Sequence, residues 1–229
     1  MARVAAVEPA TEVTVNRFLA RVYLLMSLGL VVTALVATWV STNQRLLLRV
    51  AADPWFAFGL FIVQILLVVA LSAAVTRMSP AVAGLIFFLY SALTGLTLSS
   101  IFLVYSQASI AYVFWITAGT FFVTSLFGLL FKRDLSASGN VLFMLLLGWT
   151  IAWSFSWLFP LSDVNWLLTF VGIALFVGLT AYDTQRLKTL GAQLGSHPAA
   201  GGLAVLGALT LYLDFINLFL LLLRTRRRE

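Results

Sequence analysis

Apolar residues of this 229-residue chain fall into seven runs separated by short polar or charged stretches. The runs lie at 22–41, 56–76, 80–104, 108–131, 140–160, 165–187 and 200–223. About 20 residues of α-helix cross the roughly 30 Å hydrocarbon core of a bilayer. Because backbone polar groups in lipid must be satisfied within the protein, each run is expected to be a helix. The pattern predicts an all-α polytopic integral membrane protein, a bundle of seven transmembrane helices.

The composition supports a chain that lies in the lipid bilayer. It is 62% hydrophobic and 10% charged, whereas soluble domains average about half apolar and a quarter charged. The net charge of +6 does not indicate nucleic-acid binding, because the basic residues stand at the ends of apolar runs and not in a basic stripe. The chain has no cysteine, which excludes thiolate metal sites and cysteine nucleophiles.

Charge divides the chain into an N-terminal polar arm (1–21), a transmembrane domain (22–223) and a basic tail (224–229). The arm and the second, fourth and sixth connections share one predicted side, which carries Arg3, Arg17, Arg21, Arg77, Lys132, Arg133, Arg186 and Lys188. The positive-inside rule places this side, and the N-terminus, in the cytoplasm. The basic tail contradicts that rule if the last run spans, so a re-entrant last segment is the alternative. We favour seven spans because the last run is long and almost continuously apolar.

Small residues recur every four positions in the third and fourth runs, a spacing that lets membrane helices approach closely. They are Ser91, Gly95, Ser99, Thr120, Thr124 and Gly128. We interpret both stripes as packing faces.

An aspartate stands near the middle of the last run. A charged Asp inside a membrane helix costs a few kcal/mol, so it is expected to face the protein interior or a water-filled cavity and to have a partner. Thr210, Asp214 and Asn217 have the spacing of one helix face, which makes a polar stripe on an apolar helix. Asp214 precedes Arg224 by about 15 Å of helix, so it is placed deep in the membrane.

A second aspartate, Asp183, ends the sixth run in the sequence AYDTQR. Thr180 shares its helix face, and Arg186 follows one turn later. Two interpretations remain open: a surface ion pair with Arg186, or a buried acid that faces Asp214.

Three motifs occur in order on the seven runs: TGLTLSSIF at 94–102, AYDTQ at 181–185 and LYLDFINLFLLLLR at 211–224. With them the chain resembles the Bax inhibitor-1/YccA family, also called the transmembrane Bax inhibitor motif family, in its bacterial type. The resemblance implies a compact bundle with the last helix central, in which Asp183 and Asp214 form a pH-sensing pair that controls a calcium leak. It also implies a bacterial inner-membrane location and, for some relatives, a link to the membrane protease FtsH. One departure is Gln64 in the second run, where some members carry an extra acid, so a second cation-binding position is in doubt.

Two carboxylates in a low-dielectric interior tend to share a proton, because both cannot ionise cheaply. We therefore expect acid to close the path and alkali to open it, with transient binding of Ca²⁺ by Asp183 and Asp214. Arg77 is a candidate counter-charge for the open state, or a plain positive-inside arginine. The lipid bilayer and the transported Ca²⁺ are the expected partners, without a cofactor and without nucleic acid.

Competing function classes fit the sequence less well, and we expect no enzymatic activity. An intramembrane aspartyl protease also uses two facing aspartates, but LYLD lacks the glycines that such a site needs around its second Asp. A serine protease lacks a base, because the single histidine, His197, lies in a connection before Pro198. A scaffold or regulator of another membrane protein, such as the FtsH protease, remains compatible with every feature above.

Overall fold

The computed structural model describes residues 12–131, 135–158, 162–194, 197 and 199–226, without the side chains of residues 136, 137, 157, 158 and 162–164. Its elements are α1 (Glu12–Thr42), α2 (Gln44–Ala52), α3 (Pro54–Ala74), α4 (Pro80–Leu98), a 3₁₀ helix (Ser99–Leu103), α5 (Gln107–Leu130), α6 (Ser136–Leu158), α7 (Ser162–Leu194) and α8 (Ala200–Thr225). Seven of these helices are long and apolar enough to cross a membrane. The predicted all-α polytopic architecture is therefore confirmed.

The helix boundaries differ from the sequence prediction at the N-terminus. Helix α1 begins at Glu12, so the second half of the predicted polar arm is helical, and Phe18 and Leu19 within it are buried. Several predicted topology residues lie outside the described part of the chain: Arg3, Lys132, Arg133, Arg227 and Arg228.

Three helices are capped at their N-termini by polar residues that lie in the stretches between the apolar runs. Asp53 caps α3, because its Oδ1 accepts the backbone N–H groups of Trp55 at 3.0 Å and Phe56 at 3.1 Å. Ser79 and Ser106 cap α4 and α5 in the same way. These caps satisfy N–H groups that have no partner inside the helix.

The connection between α1 and α3 contains a helix that the pattern of apolar runs does not predict. Helix α2 begins after Asn43, whose Oδ1 accepts the N–H of Leu46 at 3.2 Å. It is amphipathic, with Leu47 and Val50 buried on one face. Its polar and basic residues interrupt the apolar positions, so a search for long apolar runs does not detect this helix.

The described residues form two compact units. Unit 1 comprises the chain up to Val104 together with Leu187–Tyr212. In unit 1, α4 lies directly against α1, because a Cβ on Gly95 would stand 2.5 Å from the carbonyl oxygen of Thr33. The start of α8 lies against the start of α4, since a Cβ on Gly201 would stand 2.7 Å from the ring of Pro80.

Unit 2 comprises Tyr105–Arg186 and the chain from Leu213 onward. Its apolar core joins α7 to the second half of α8, and the buried members are Leu175, Phe176, Leu179, Leu218 and Leu221. Helix α6 packs beside this core, where the indole N–H of Trp149 donates to the carbonyl oxygen of Leu168 at 2.8 Å.

Helix α8 is the most deeply buried of the seven spans, because 67% of an 18-residue apolar stretch of this helix is buried. A central position of the last helix in the bundle, which the resemblance implied, stays a prediction. The guanidinium of Arg224 lies 4.2 Å from the ring centroid of Trp153 and donates to Oδ1 of Asn165 at 3.5 Å. The end of α8 therefore lies beside the end of α6 and the start of α7. A continuous helix of this length supports a full span and not a re-entrant segment.

Candidate functional site

The carboxyl groups of Asp183 on α7 and Asp214 on α8 face each other within hydrogen-bonding reach inside unit 2. Their side chains are only 8% and 5% exposed. Each aspartate stands on a continuous helix, so the backbone has no need of their side chains as caps. The question left open by the sequence is answered here, since Asp183 turns toward Asp214.

A hydrogen bond between two carboxyl groups requires a proton, because an ionised carboxylate can only accept. A pair of carboxyl groups bonded in this way holds at least one proton. Oδ2 of Asp214 has no hydrogen-bond partner within the described part of the chain and is buried. A full charge on such a group would be costly, so the favoured arrangement has Asp214 neutral and donating to Asp183.

The pair stands at one end of an apolar helix contact. Leu179 precedes Asp183 by one turn and Leu218 follows Asp214 by one turn, and both belong to the apolar core of unit 2. Because α7 and α8 run antiparallel, these leucines continue the same interface on one side of the acids. The carboxyl groups are thus the polar end of an apolar contact.

Arg186 stands one turn beyond Asp183 and is exposed. Its positive charge attracts the Asp183 carboxylate, while the Asp183 carboxyl remains bonded to Asp214. Asp183 therefore stands between an exposed arginine and a more deeply buried acid. In the bonded pair, this attraction favours Asp183 as the member that carries the negative charge.

Helix α5 supplies the third wall at this level of unit 2. The hydroxyl of Ser125 lies 3.1 Å from that of Thr184, the residue after Asp183. Gly128, near Ser125 on α5, lets the backbones of α5 and α7 touch, since a Cβ there would collide with the carbonyl oxygen of Ala181. The acids are thus held among three tightly packed helices.

The family model described as "Inhibitor of apoptosis-promoting Bax1" matches residues 15–227, almost the whole chain and both aspartates. This chain belongs to the Bax inhibitor-1 family. The inner membrane protein YbhL of Escherichia coli K12 is 47% identical over 209 residues, which cover 90% of this chain and 89% of YbhL. A Deinococcus radiodurans protein is 40% identical over 223 residues, covering 97% of this chain and 95% of its own. The membership and the seven apolar helices establish a multi-pass membrane protein.

The supporting polar residues that the sequence predicted donate within their own helices. The hydroxyls of Thr180 and Thr210 donate to the carbonyl oxygens one turn earlier, at 2.7 Å and 3.1 Å. The amide of Asn217 donates to the carbonyl oxygen of Leu213 at 2.9 Å. Thr180 and Asn217 belong to unit 2 with the acid pair, whereas Thr210 belongs to unit 1. Their support of the pair remains a prediction.

Two further residues from the sequence analysis belong to unit 1. Arg77 is exposed in the turn after α3, and its role as a counter-charge stays a prediction. Gln64 on α3 donates to the hydroxyl of Thr97 at 2.7 Å, so this member of the Bax inhibitor-1 family uses that position to join α3 to α4. The glutamine therefore has a packing role where an acid was noted in other members.

Sequence reasoning missed a buried hydroxyl cluster in unit 1. The Tyr212 hydroxyl lies 2.6 Å from Oγ1 of Thr33, and the hydroxyl groups of Ser91 and Thr94 interact with it. These residues come from α8, α1 and α4, so no spacing within one helix predicts their meeting. The available signal was the four-residue stripe containing Ser91, which marked the packing face of α4.

Proposed function

We propose that this protein is a pH-sensitive cation leak channel for Ca²⁺, with Asp183 and Asp214 as its sensor and gate. The observation that carries the proposal is the close approach of the two buried carboxyl groups, which lets them share a hydrogen bond. Such a bond exists only while the pair holds a proton. Protonation therefore clamps α7 to α8, and loss of the last proton removes the clamp.

Loss of that proton also replaces an attraction by a repulsion. Two unit charges about 4 Å apart repel by about 4 kcal/mol at an effective dielectric constant of 20. A difference of that size changes the ratio of two conformations by nearly three orders of magnitude. The channel is accordingly closed in acid and open in alkali.

The ionised pair supplies hard oxygen ligands, which suit a hard cation such as Ca²⁺. Ca²⁺ takes six to eight oxygens, more than two carboxylates provide. No group of three or more His, Cys, Asp or Glu residues that could hold a metal ion occurs among the described residues. We therefore assign Asp183 and Asp214 to a transient position for the transported ion, and the proposed activity is transport without catalysis.

We place the protein in the inner membrane of a bacterium, because its relative YbhL is an inner membrane protein. The distribution of basic residues outside the tail favours a cytoplasmic N-terminus. In this orientation Arg186 and Asp183 lie toward the cytoplasmic end of the path. Cytoplasmic pH is then the variable that the sensor follows.

The test is calcium flux into liposomes that contain the purified protein and a calcium dye, measured in steps from about pH 6 to about pH 8. The leak is expected to grow as the pH rises. The matched control is Asp53→Asn, because Asp53 is the cap of α3 and an asparagine caps a helix equally well. That variant is expected to keep the wild-type pH profile. Absence of a leak at every pH would overturn the proposal and favour a scaffold or regulator of another membrane protein.

A further inference from the structure

The buried face of α5 alternates hydroxyl groups with an aromatic ring. Thr117, Phe121 and Ser125 follow one another at intervals of one turn and are at most 5% exposed. Small hydroxyl residues let membrane helices approach closely, so Thr117 and Ser125 agree with a packing face. The bulky ring of Phe121 between them is the feature that close approach of helices does not require.

The two hydroxyl groups place acceptor oxygens on both sides of the ring. Thr117 donates its proton to the carbonyl oxygen of Val113 at 2.8 Å, which leaves the lone pairs of its Oγ1 as acceptors. Ser125 is bonded to Thr184, beside Asp183. Oxygen acceptors thus line α5 near the acid pair and again two turns away, with Phe121 between them.

Phe121 belongs to a group of four rings on α5 and α8, which we call the phenylalanine cluster: Phe114, Phe121, Phe215 and Phe219. The ring centroids of Phe121 and Phe215 are 5.6 Å apart, and those of Phe114 and Phe215 are 5.5 Å apart. Phe215 directly follows Asp214 and is 3% exposed. The cluster therefore begins at the depth of the acid pair and continues toward the end of α8.

We propose that the phenylalanine cluster is the hydrophobic constriction that closes the cation path between the acid pair and the end of α8, with Phe121 as its decisive ring. A constriction lined only by apolar groups excludes water and so stops a hydrated cation. Because Phe215 is the residue after Asp214, a displacement of α8 by repulsion of the acids also changes the position of Phe215 relative to Phe121. This inference rests on the proposed channel function and assigns its barrier to named residues.

The test compares Phe121→Ala with Phe122→Ala in the calcium-dye liposome assay at pH 6 and pH 8. Phe122 is the adjacent residue on α5 but is 66% exposed on the outer face, so it controls for loss of a ring from this helix. Phe121→Ala is expected to raise the leak at pH 6 on the order of tenfold, and Phe122→Ala to leave it unchanged. Phe121→Leu preserves most of the packing and is expected to give a smaller increase in the leak. It tests the same ring if the alanine variant fails to fold.

The outcomes separate this inference from the channel function. If the wild type leaks with the expected pH profile and neither Phe121 variant changes it, the constriction lies elsewhere and the inference is wrong. If the wild type is silent at every pH but Phe121→Ala leaks, the constriction is supported and the pH gate is not. If no variant and no wild-type sample leaks, both are rejected.

Discussion

The hydroxyl of Tyr212 on α8 lies 2.6 Å from Oγ1 of Thr33 on α1. The same Oγ1 is 2.9 Å from the carbonyl oxygen of Ser91 and 3.0 Å from that of Gly29. Carbonyl oxygens only accept, and threonine has one hydroxyl proton. That proton goes to a carbonyl oxygen, so Tyr212 donates to Thr33. The tyrosine hydroxyl is thereby the polar link from α8 to α1 in unit 1.

Tyr212→Phe should remove this link and preserve the ring, which packs edge-on against Phe87 at 5.7 Å between centroids. The free energy of unfolding is expected to fall by about 0.6–1.7 kcal/mol, the range of interhelical hydrogen bonds in membranes. Denaturation in mixed detergent micelles measures it. Tyr112→Phe is the control, because Tyr112 is 55% exposed, and this variant should retain wild-type stability. Equal stability of both variants would show that the Tyr212 hydroxyl contributes nothing.

Gly128→Ala should push α5 away from α7 at the level of the acid pair. The added Cβ collides with the carbonyl oxygen of Ala181, and the backbone has little room to move. The expected cost is about 1–3 kcal/mol, as for other overpacked sites. Gly119→Ala is the control on the same helix, because a Cβ there meets nothing within 4 Å. Thermal unfolding in detergent compares the two, and an equal effect at both glycines would contradict the close approach.

Asp214→Asn should hold the path closed without a shared proton. The amide donates a hydrogen bond to Asp183 at any pH, whereas Asp214 does so only while protonated. A one-proton sensor changes the leak at most about tenfold per pH unit, and in this variant the change between pH 6 and pH 8 should approach none. The calcium-dye assay measures the leak. A variant that keeps the wild-type pH profile would exclude Asp214 as the sensor.

The spans and the acid pair are predictable from the sequence because each rests on a large energy. Burying a span of about 20 residues in lipid, or an aspartate away from water, involves several kcal/mol. The apolar run at 200–223 and the aspartate within it, Asp214, are therefore recognisable in the sequence. Sequence reasoning also found Asp183, but not its orientation. Only the fold decides between Arg186, one turn away, and Asp214, 31 residues away.

The buried face of α5 was predicted wrongly for a different reason. The four-residue spacing of Thr120 and Thr124 predicts a packing stripe, but both residues are only half-buried. The buried stripe has the same four-residue spacing but consists of Thr117, Phe121 and Ser125. Of the predicted residues on α5, only Gly128 is buried. Periodicity within one helix gives the spacing of a face, whereas neighbouring helices decide which face is turned inward.

Two arginines at the end of α8 make contacts that no local sequence pattern reveals. Arg224 lies over Trp153 and Arg226 lies over Tyr112, with the guanidinium 4.5 Å from the latter ring centroid. Cation–π contacts of this kind contribute about 0.5–2 kcal/mol. These arginines are therefore bound to aromatic rings of the protein at the end of α8, which offsets their conflict with the positive-inside rule.

The ends of α8 should accordingly be found on opposite sides of the membrane. The helix is about 39 Å long at 1.5 Å per residue, longer than the hydrocarbon core, and it runs unbroken from Ala200 to Thr225. Because the chain has no cysteine, single cysteines introduced at either end report topology without further changes. We expect a membrane-impermeant thiol reagent added to right-side-out vesicles to label Thr225→Cys and to spare His197→Cys.

Inverted vesicles provide the control for this topology measurement, because the same reagent should then label His197→Cys and spare Thr225→Cys. Position 197 is itself exposed. Both cysteines should react in detergent, which confirms that each is accessible. Labelling of the two positions from the same side would mean that α8 re-enters and does not span. The acid pair would then lie at a different depth, and the assignment of Arg186 to the cytoplasmic end of the path would fail.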